Sequence, residues 1–388
     1  MNPEQFRTTT SGRVQRVGAG QAAYWAFLPN PLPPDLVFDR ELVAGLSTAD
    51  RAMGELAGLA RNNPSVRLLQ APFLRREAVL SSRIEGTVAT VADVYAYEAG
   101  QPGFPGGVRP PEGDVREVVN YVTALEYGVK RLATLPVSLR FMRELHERLM
   151  TGVRGGHATP GAVRTSQNWI GSPGAMLNDA TYVPPPVPEM ADALTALEQY
   201  VHSDDPTPPL VRIACIHYQF EAIHPFLDGN GRIGRLLVAL LLVAWDLLPA
   251  PLVYPSVYLE RRRSEYYDRL LRVSTTGDWQ AWLLFFLQAL TDAARDAVTK
   301  AKALEDLREQ WVQLARTSGR STLLEQVVDL SFSEPLLTAR LVTERFAVSP
   351  PSAMAALQRL AGIGVLAESR GQGRGRLFVA QAVLEALQ

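Results

Sequence analysis

HPFLDGNGRIGR, residues 224–235, is the stretch from which the rest of the chain is read. It falls between an amphipathic helical pattern and an apolar helix expected from about Arg232 onward. Gly229 and Gly231 permit a tight turn and present backbone N–H groups with no Cβ in the way, and Asn230 adds a side-chain amide donor. The helix that follows directs the positive end of its dipole at the same spot. Arg232 and Arg235 lie near one face of its first turn and can fork onto phosphate oxygens. Asp228 offers a hard carboxylate oxygen, and one carboxylate plus substrate phosphates is a usual way to hold Mg²⁺. Histidine, with an ordinary pKa of about 6.5, suits His224 to act as general base toward a hydroxyl, a role contributing on the order of 10² to 10⁴ in rate. The composition describes a site for a nucleoside triphosphate with Mg²⁺. A Gly-rich turn with one acid is by itself often only a turn, and a histidine before proline often structural. The compression of complementary roles into one short segment, without the GxxxxGK[ST] of a P-loop, makes the reading functional.

Working outward, 388 residues at roughly 100 to 200 per domain predict two or three domains. With 39 basic and 40 acidic residues the formal charge is −1, so no global field draws the chain to nucleic acid or an anionic membrane. Cys215 is the only cysteine, which excludes an intramolecular disulfide framework, a zinc ribbon and a CxxC redox pair. A cytoplasmic location is the expectation. The first thirty residues lack the continuous apolar stretch of a secretory signal, and Arg7, Arg13 and Arg16 give only a faint likeness to an organelle presequence. The apolar run at 236–255 is interrupted by Asp246, Pro249, Pro251 and Pro255, so it reads as a buried core helix and no membrane partner is expected.

Apolar positions recur at three and four residue spacing over 42–59, 115–132, 137–150, 190–202, 210–223, 232–245 and 279–307, which predicts a mainly α protein. GQPGFPGGVRPPEG, 100–113, can sustain neither helix nor strand and reads as a flexible connection or domain boundary. TSQNWIG and ATYVPPP, around SPGAMLND, read as two short strands of a β-hairpin. TSGRS, 317–321, reads as a linker, followed by three helices and two strands around the turn GQGRG.

HPFLDGNGRIGR matches at every defined position the signature of the Fic family, HPFx[D/E]GNGRxxR. PLPP at 31–34, EAVLSSRIEGT at 77–87, RTSQNWIG at 164–171, YVPPP at 182–186 and the YYDRL and GDWQAWLLFF stretches are similar to its multi-domain bacterial branch. The resemblance implies a Fic-type helical core with a β-hairpin flap, an N-terminal helical region at 1–113, a catalytic domain at 114–316 and a C-terminal winged helix-turn-helix at 317–388. It implies transfer of AMP from ATP to a Ser, Thr or Tyr hydroxyl of a target protein. His224 would take the proton, Asp228 hold Mg²⁺, and Asn230 with the Gly229 and Gly231 amides cradle the phosphates. Arg232 and Arg235 would orient the β and γ groups, and Phe226 counts among the nucleotide-binding positions. SSRIEG, 81–86, matches the family's inhibitory pattern [S/T]xxxE[G/N], which makes Ser81, Glu85 and Gly86 the inhibitory motif. Glu85 would pair with Arg235 and occupy the fork meant for the γ-phosphate, although a helix-end acid followed by a glycine C-cap has the same sequence.

The flap of the family lines up a target segment as an added strand, a mode that tolerates many sequences. Trp169, Ile170 and Tyr182 are its candidate contacts, with hairpin packing the equal alternative. Tyr267 is favoured over Tyr266 as the adenine contact, although a YY pair on an amphipathic helix also reads as core. His217 reads as a packed core histidine, and His146, His157 and His202 show no ligand spacing. The basic run at 261–263 reads as a solvated helix face. In the C-terminal segment, residues 319–388 carry seven arginines, no lysine and six acids, a thin footprint for DNA. Arg370, Arg374 and Arg376 are its candidate phosphate contacts, 351–362 its candidate recognition helix, and a protein-interaction or homodimer module the alternative. Removal of AMP, transfer of another phosphate-containing group, and nucleotide sensing by a DNA-binding regulator are the competing functions.

Overall fold

The computed structural model describes residues 1–62, 70–101, 103–104, 107–153, 159–172, 174–319, 321–370 and 376–387. His157, Arg374 and the GQGRG turn lie outside the described residues, as does the side chain of Arg370. The chain divides into two compact units, Met1–Gly54 with Thr123–Ala294, and Glu55–Val122 with Arg295–Gln388. The division points fall inside α1 (Arg40–Asn62), α4 (Glu112–Arg131) and α11 (Trp279–Ser318).

The first unit adds the hairpin β1 (Gly12–Val17) and β2 (Tyr24–Pro29), and the helices α5 (Leu139–Met150), α6 (Val187–Val201), α7 (Pro209–Ile223), α8 (Asn230–Ala244), α9 (Ser256–Arg261) and α10 (Arg263–Thr276). Its centre is α7, which starts on Pro209 at a position where a missing N–H costs nothing. Nearly every α7 side chain from Leu210 to Ile223 is buried, the pattern of a helix apolar all round. It packs against α6, α8, α10 and β2, and the Trp282 indole of α11 donates to the Ala214 carbonyl at 3.0 Å. The apolar run expected to be a core helix is α8, buried without a break from Arg232 to Leu242. No described helix is long and apolar enough to cross a membrane.

The β1–β2 hairpin, antiparallel from Gly12↔Pro29 to Val17↔Tyr24, was not among the expected elements. Its second strand buries the continuous run Ala26, Phe27 and Leu28, so it lacks the alternation that marks a half-exposed strand. The expected flap hairpin closes through one antiparallel bridge, Ile170↔Tyr182, with N–H···O distances of 2.8 and 3.0 Å. Pro184, Pro185 and Pro186 have no N–H with which to lengthen the ladder. Phe27 N–H donates to the Val183 carbonyl at 2.8 Å, which ties the flap to the N-terminal hairpin.

The second unit holds α2 (Gln70–Ile84), α3 (Val91–Glu98), α12 (Thr322–Ser333), β3 (Leu336–Leu337), α13 (Ala339–Phe346), α14 (Pro350–Gly362), β4 (Ala367–Arg370), β5 (Arg376–Val379) and α15 (Gln381–Ala386). The three expected helices and two strands of the C-terminal segment are present, and β3 completes an antiparallel sheet in the order β3-β5-β4. Tyr95 and Ala96 of α3 share one apolar cluster with Leu336, Leu377, Val379 and Leu384 of that segment. On α2, Arg75 pairs with Glu98 at 2.8 Å and lies over the Tyr95 ring, while the buried Glu77 accepts from the Tyr121 hydroxyl at 3.1 Å. The helix that ends at the SSRIEG motif is therefore tied to α3, which shares its core with the C-terminal sheet. Leu377→Ala should cost about 2–5 kcal/mol in urea unfolding. It should also speed amide exchange in α3, and destabilisation confined to the C-terminal strands would contradict the shared core.

Candidate active site

The segment 224–235 is a reversal between two buried helices. At its start His224 takes the left-handed conformation, φ 49° and ψ 61°, while its N–H donates to the Phe220 carbonyl at 3.0 Å and so caps α7. Pro225 cannot continue the helix. A left-handed histidine is strained by about 1–3 kcal/mol and persists only where its surroundings over-determine it. They do so here. Arg164 Nε and Asn168 Nδ2 donate to the His224 carbonyl at 3.0 and 3.2 Å, and the Arg164 N–H donates to the Pro225 carbonyl at 2.9 Å.

The imidazole of His224 is half-buried, with Nδ1 3.2 Å from the Glu221 carbonyl oxygen. A carbonyl can only accept, so this contact places the proton of the neutral ring on Nδ1 and leaves Nε2 as the acceptor. The same reasoning fixes His146. Gly161 N–H donates to its Nδ1 at 3.0 Å, so Nε2–H donates to the Asp228 carbonyl at 3.0 Å. His146 is fully buried, stacks on Phe226 at 3.8 Å, and burial holds its pKa down to about 4, which keeps it neutral.

Asn230 departs from its expected role. Its Oδ1 accepts from the Phe226 N–H and its Nδ2 donates to the Phe226 carbonyl, both at 2.8 Å, and the residue is 2% exposed. The side-chain oxygen and one N–H of the amide close the turn. The donors remaining at this end are the Asn230 and Gly231 N–H groups, which open α8 and have no acceptor within it. Gly229 sits at φ 78°, and a Cβ there would lie 2.9 Å from Met150 Sδ. Its N–H donates to Asp228 Oδ1 at 2.6 Å. The Phe226 ring is fully buried and supports the turn from below.

The carbonyls of His224, Phe226 and Asp228 are thus all taken by side chains of the first unit, so the turn spends its acceptors inward. The Asp228 side chain is 54% exposed, and its Oδ1 lies 3.7 Å from Arg232 Nη2. Arg232 and Arg235 are buried, at 3% and 1% exposure. Gly234 admits no larger residue without a shift, since a Cβ there would come within 2.3 Å of Glu221 Oε1.

In the flap, Trp169 and Ile170 are exposed, whereas Tyr182 is buried with its hydroxyl donating to the Ala222 carbonyl at 2.8 Å. Tyr182 is an anchor of the flap and not a surface contact. Of the tyrosine pair, Tyr266 is core, 2.8 Å from His217 Nε2, and Tyr267 keeps an exposed face beside Arg263. His217 packs among Tyr266, Trp282 and Phe286, as a core histidine does. Ser81 is buried in α2 of the second unit, while Glu85 and Gly86 follow in an exposed turn with Gly86 at φ 103°. Arg164, Asn168, His146 and Met150 were not read as site residues. The RTSQNWIG stretch was the one signal that could have pointed to the first two.

Two buried helices are thus joined by a glycine-rich turn with its carbonyls held inward. The Fic/DOC family N-terminal region matches residues 43–130 and the Fic/DOC family matches residues 136–242, and the chain belongs to that family. Two curated proteins named "Protein adenylyltransferase Fic", from Drosophila mojavensis and Drosophila grimshawi, are each 24% identical to it, over 324 and 288 residues. The matches cover 80% and 73% of this chain but 59% and 54% of theirs, so the chain spans little more than half the length of these relatives. A Fic family protein from Desulfovibrio desulfuricans G20 shares the fold with TM-score 0.59 at 22% identity, over 90% of this chain and 98% of that one. Fic-1 from C. elegans does so with TM-score 0.53 at 21% identity, over 68% and 74%.

Two stability measurements check this geometry. Gly229→Ala should cost about 1–2 kcal/mol for the left-handed backbone alone, plus the contact with Met150. In a Met150→Ala background its cost should fall but stay above zero, and an unchanged cost would contradict the close approach. Burial, with Arg235 adding to it and a hydrogen bond to the Gly234 backbone opposing it, holds the His217 pKa down to about 3. The unfolded chain binds that proton at about pH 6.5, so stability is complete above this and falls by up to about 1.4 kcal/mol per unit as pH drops toward 3. His217→Gln should flatten that part of the pH–stability curve, and parallel curves would contradict the assignment.

Proposed function

We propose that this chain transfers AMP from ATP to a Ser, Thr or Tyr hydroxyl of a target protein, and that Glu85 restrains it. The observation that carries the reading is the His224 ring, whose Nδ1 faces the Glu221 carbonyl and so leaves Nε2 as the acceptor of the neutral ring, on the same turn as the Asp228 carboxylate and the opening N–H groups of α8. A site that only sensed a nucleotide would have no use for a base there.

In this reading His224 Nε2 takes the proton of the attacking hydroxyl, whose oxygen forms a bond to the α-phosphorus as the bond to the β-phosphate oxygen breaks and pyrophosphate leaves. The α8 amides, Arg232 and Arg235 stabilise negative charge on the phosphates. Asp228 presents one largely exposed, hard carboxylate, which fits Mg²⁺ completed by phosphate oxygens and water. When bound, Mg²⁺ would supply charge neutralisation on the phosphates.

The test is label transfer from α-labelled and γ-labelled ATP with Mg²⁺ to proteins of a source lysate, comparing wild type, Glu85→Gly and Glu85→Gly with His224→Ala. Retained label only from the α position, stronger in Glu85→Gly and lower by on the order of 10² or more without His224, is expected. Absence of retained α label in every variant would contradict AMP transfer and favour AMP removal, another group transfer or nucleotide sensing.

A further inference from the structure

The flap and the catalytic turn are joined by more than chain connectivity. The Asn168 side-chain amide donates to two carbonyls of the turn, His224 at 3.2 Å and Phe226 at 2.7 Å. Both of its N–H bonds are used, while its Oδ1 is buried without a partner among the described residues. A buried amide with an unsatisfied oxygen is costly, so the feature that this position retains is a pair of donors on a short stem. Ser or Thr offers one donor and Asp none.

Asn168 does not act alone. The Arg164 guanidinium, 1% exposed, holds His224, Ser166 and Pro185 carbonyls together, so it clamps both arms of the flap to the same turn. Directly after Asn168 come the exposed rim residues Trp169 and Ile170, and Ile170 is bridged to Tyr182, which bonds the Ala222 carbonyl in the last turn of α7. Beside its ties to the N-terminal hairpin, the flap is therefore fastened through Arg164, Asn168 and Tyr182 to residues 222–226.

We propose that Asn168 is a positioning residue for the base: by holding the His224 and Phe226 carbonyls it sets the orientation in which His224 Nε2 meets a hydroxyl, and it links that orientation to occupancy of the flap rim by the target segment. The proposal rests on the AMP-transfer reading for its chemistry. It does not rest on it for its geometry. Asn168 touches neither nucleotide nor target, and its effect runs through His224.

The experiment compares Asn168→Ala and Asn168→Asp in the Glu85→Gly protein. A positioning role predicts kcat lowered on the order of 10-fold or more and ATP KM within about two-fold, in protein still folded at the assay temperature. In a His224→Ala background Asn168→Ala should have no further effect, because the residue acts through the missing ring. Additive losses, an unchanged kcat, or a kcat that falls only together with Tm and ATP affinity would overturn the proposal. Asn168→Ala, the smaller change, keeps the test decisive if Asn168→Asp does not fold. Amide exchange over residues 220–231, measured without nucleotide, separates this idea from the parent reading. Faster exchange in Asn168→Ala supports the link even if the Glu85→Gly protein transfers no AMP, and unchanged exchange overturns it.

Discussion

Everything assembled at the site depends on one strained residue, the left-handed His224 between α7 and α8. Its conformation ends α7 and begins the reversal of residues 224–229 that leads into α8. The strain is absorbed by partners on three sides: the Phe220 carbonyl behind it, Arg164 and Asn168 across it, and the Glu221 carbonyl on its ring. None of these could hold it if α7 were a surface helix, because the carbonyls at its end would then be shared with water. The apolar sequence of α7, buried on all sides, is what makes the clamp rigid.

The same logic explains why the turn contains so many residues that never face a ligand. Asn230, Phe226 and His146 fix the backbone so that the α8 N–H groups are presented together, and preorganised donors are worth more than donors that must be gathered. In the second unit a different economy holds. The helix ending in the Glu85 motif is anchored by charged groups at its buried face, Arg75 on Glu98 and Arg76 on Asp296, and its neighbour α3 shares a core with the C-terminal sheet. That sheet therefore shares its core with α3, the helix on which Arg75 of the Glu85-bearing segment is anchored.

How much of this was legible beforehand differs by scale. The mainly helical class, the buried nature of α8 and the family followed from apolar spacing and from HPFLDGNGRIGR. The roles inside that motif were less legible. Asn230 reads as a donor because it stands beside glycines, yet its amide faces inward, since closing a tight turn needs an acceptor and a donor at once. Arg164, Asn168 and His146 lie 60, 56 and 82 residues from their partners in the turn, and no local pattern encodes such contacts. The β1–β2 hairpin was missed because a strand buried on both faces does not alternate, and Tyr182 because an aromatic residue in a hairpin gives no sign of which way it points.

The claim most exposed to test is the protonation geometry of His224. In ¹⁵N-labelled protein, the ring nitrogens of the histidines can be followed by NMR near neutral pH, with His224→Ala identifying the signal. The account predicts a neutral ring protonated on Nδ1, with Nε2 showing the shift of an unprotonated nitrogen. A ring protonated on Nε2, or one averaging freely between tautomers, would contradict it, because the turn would then hold a histidine that cannot accept the proton.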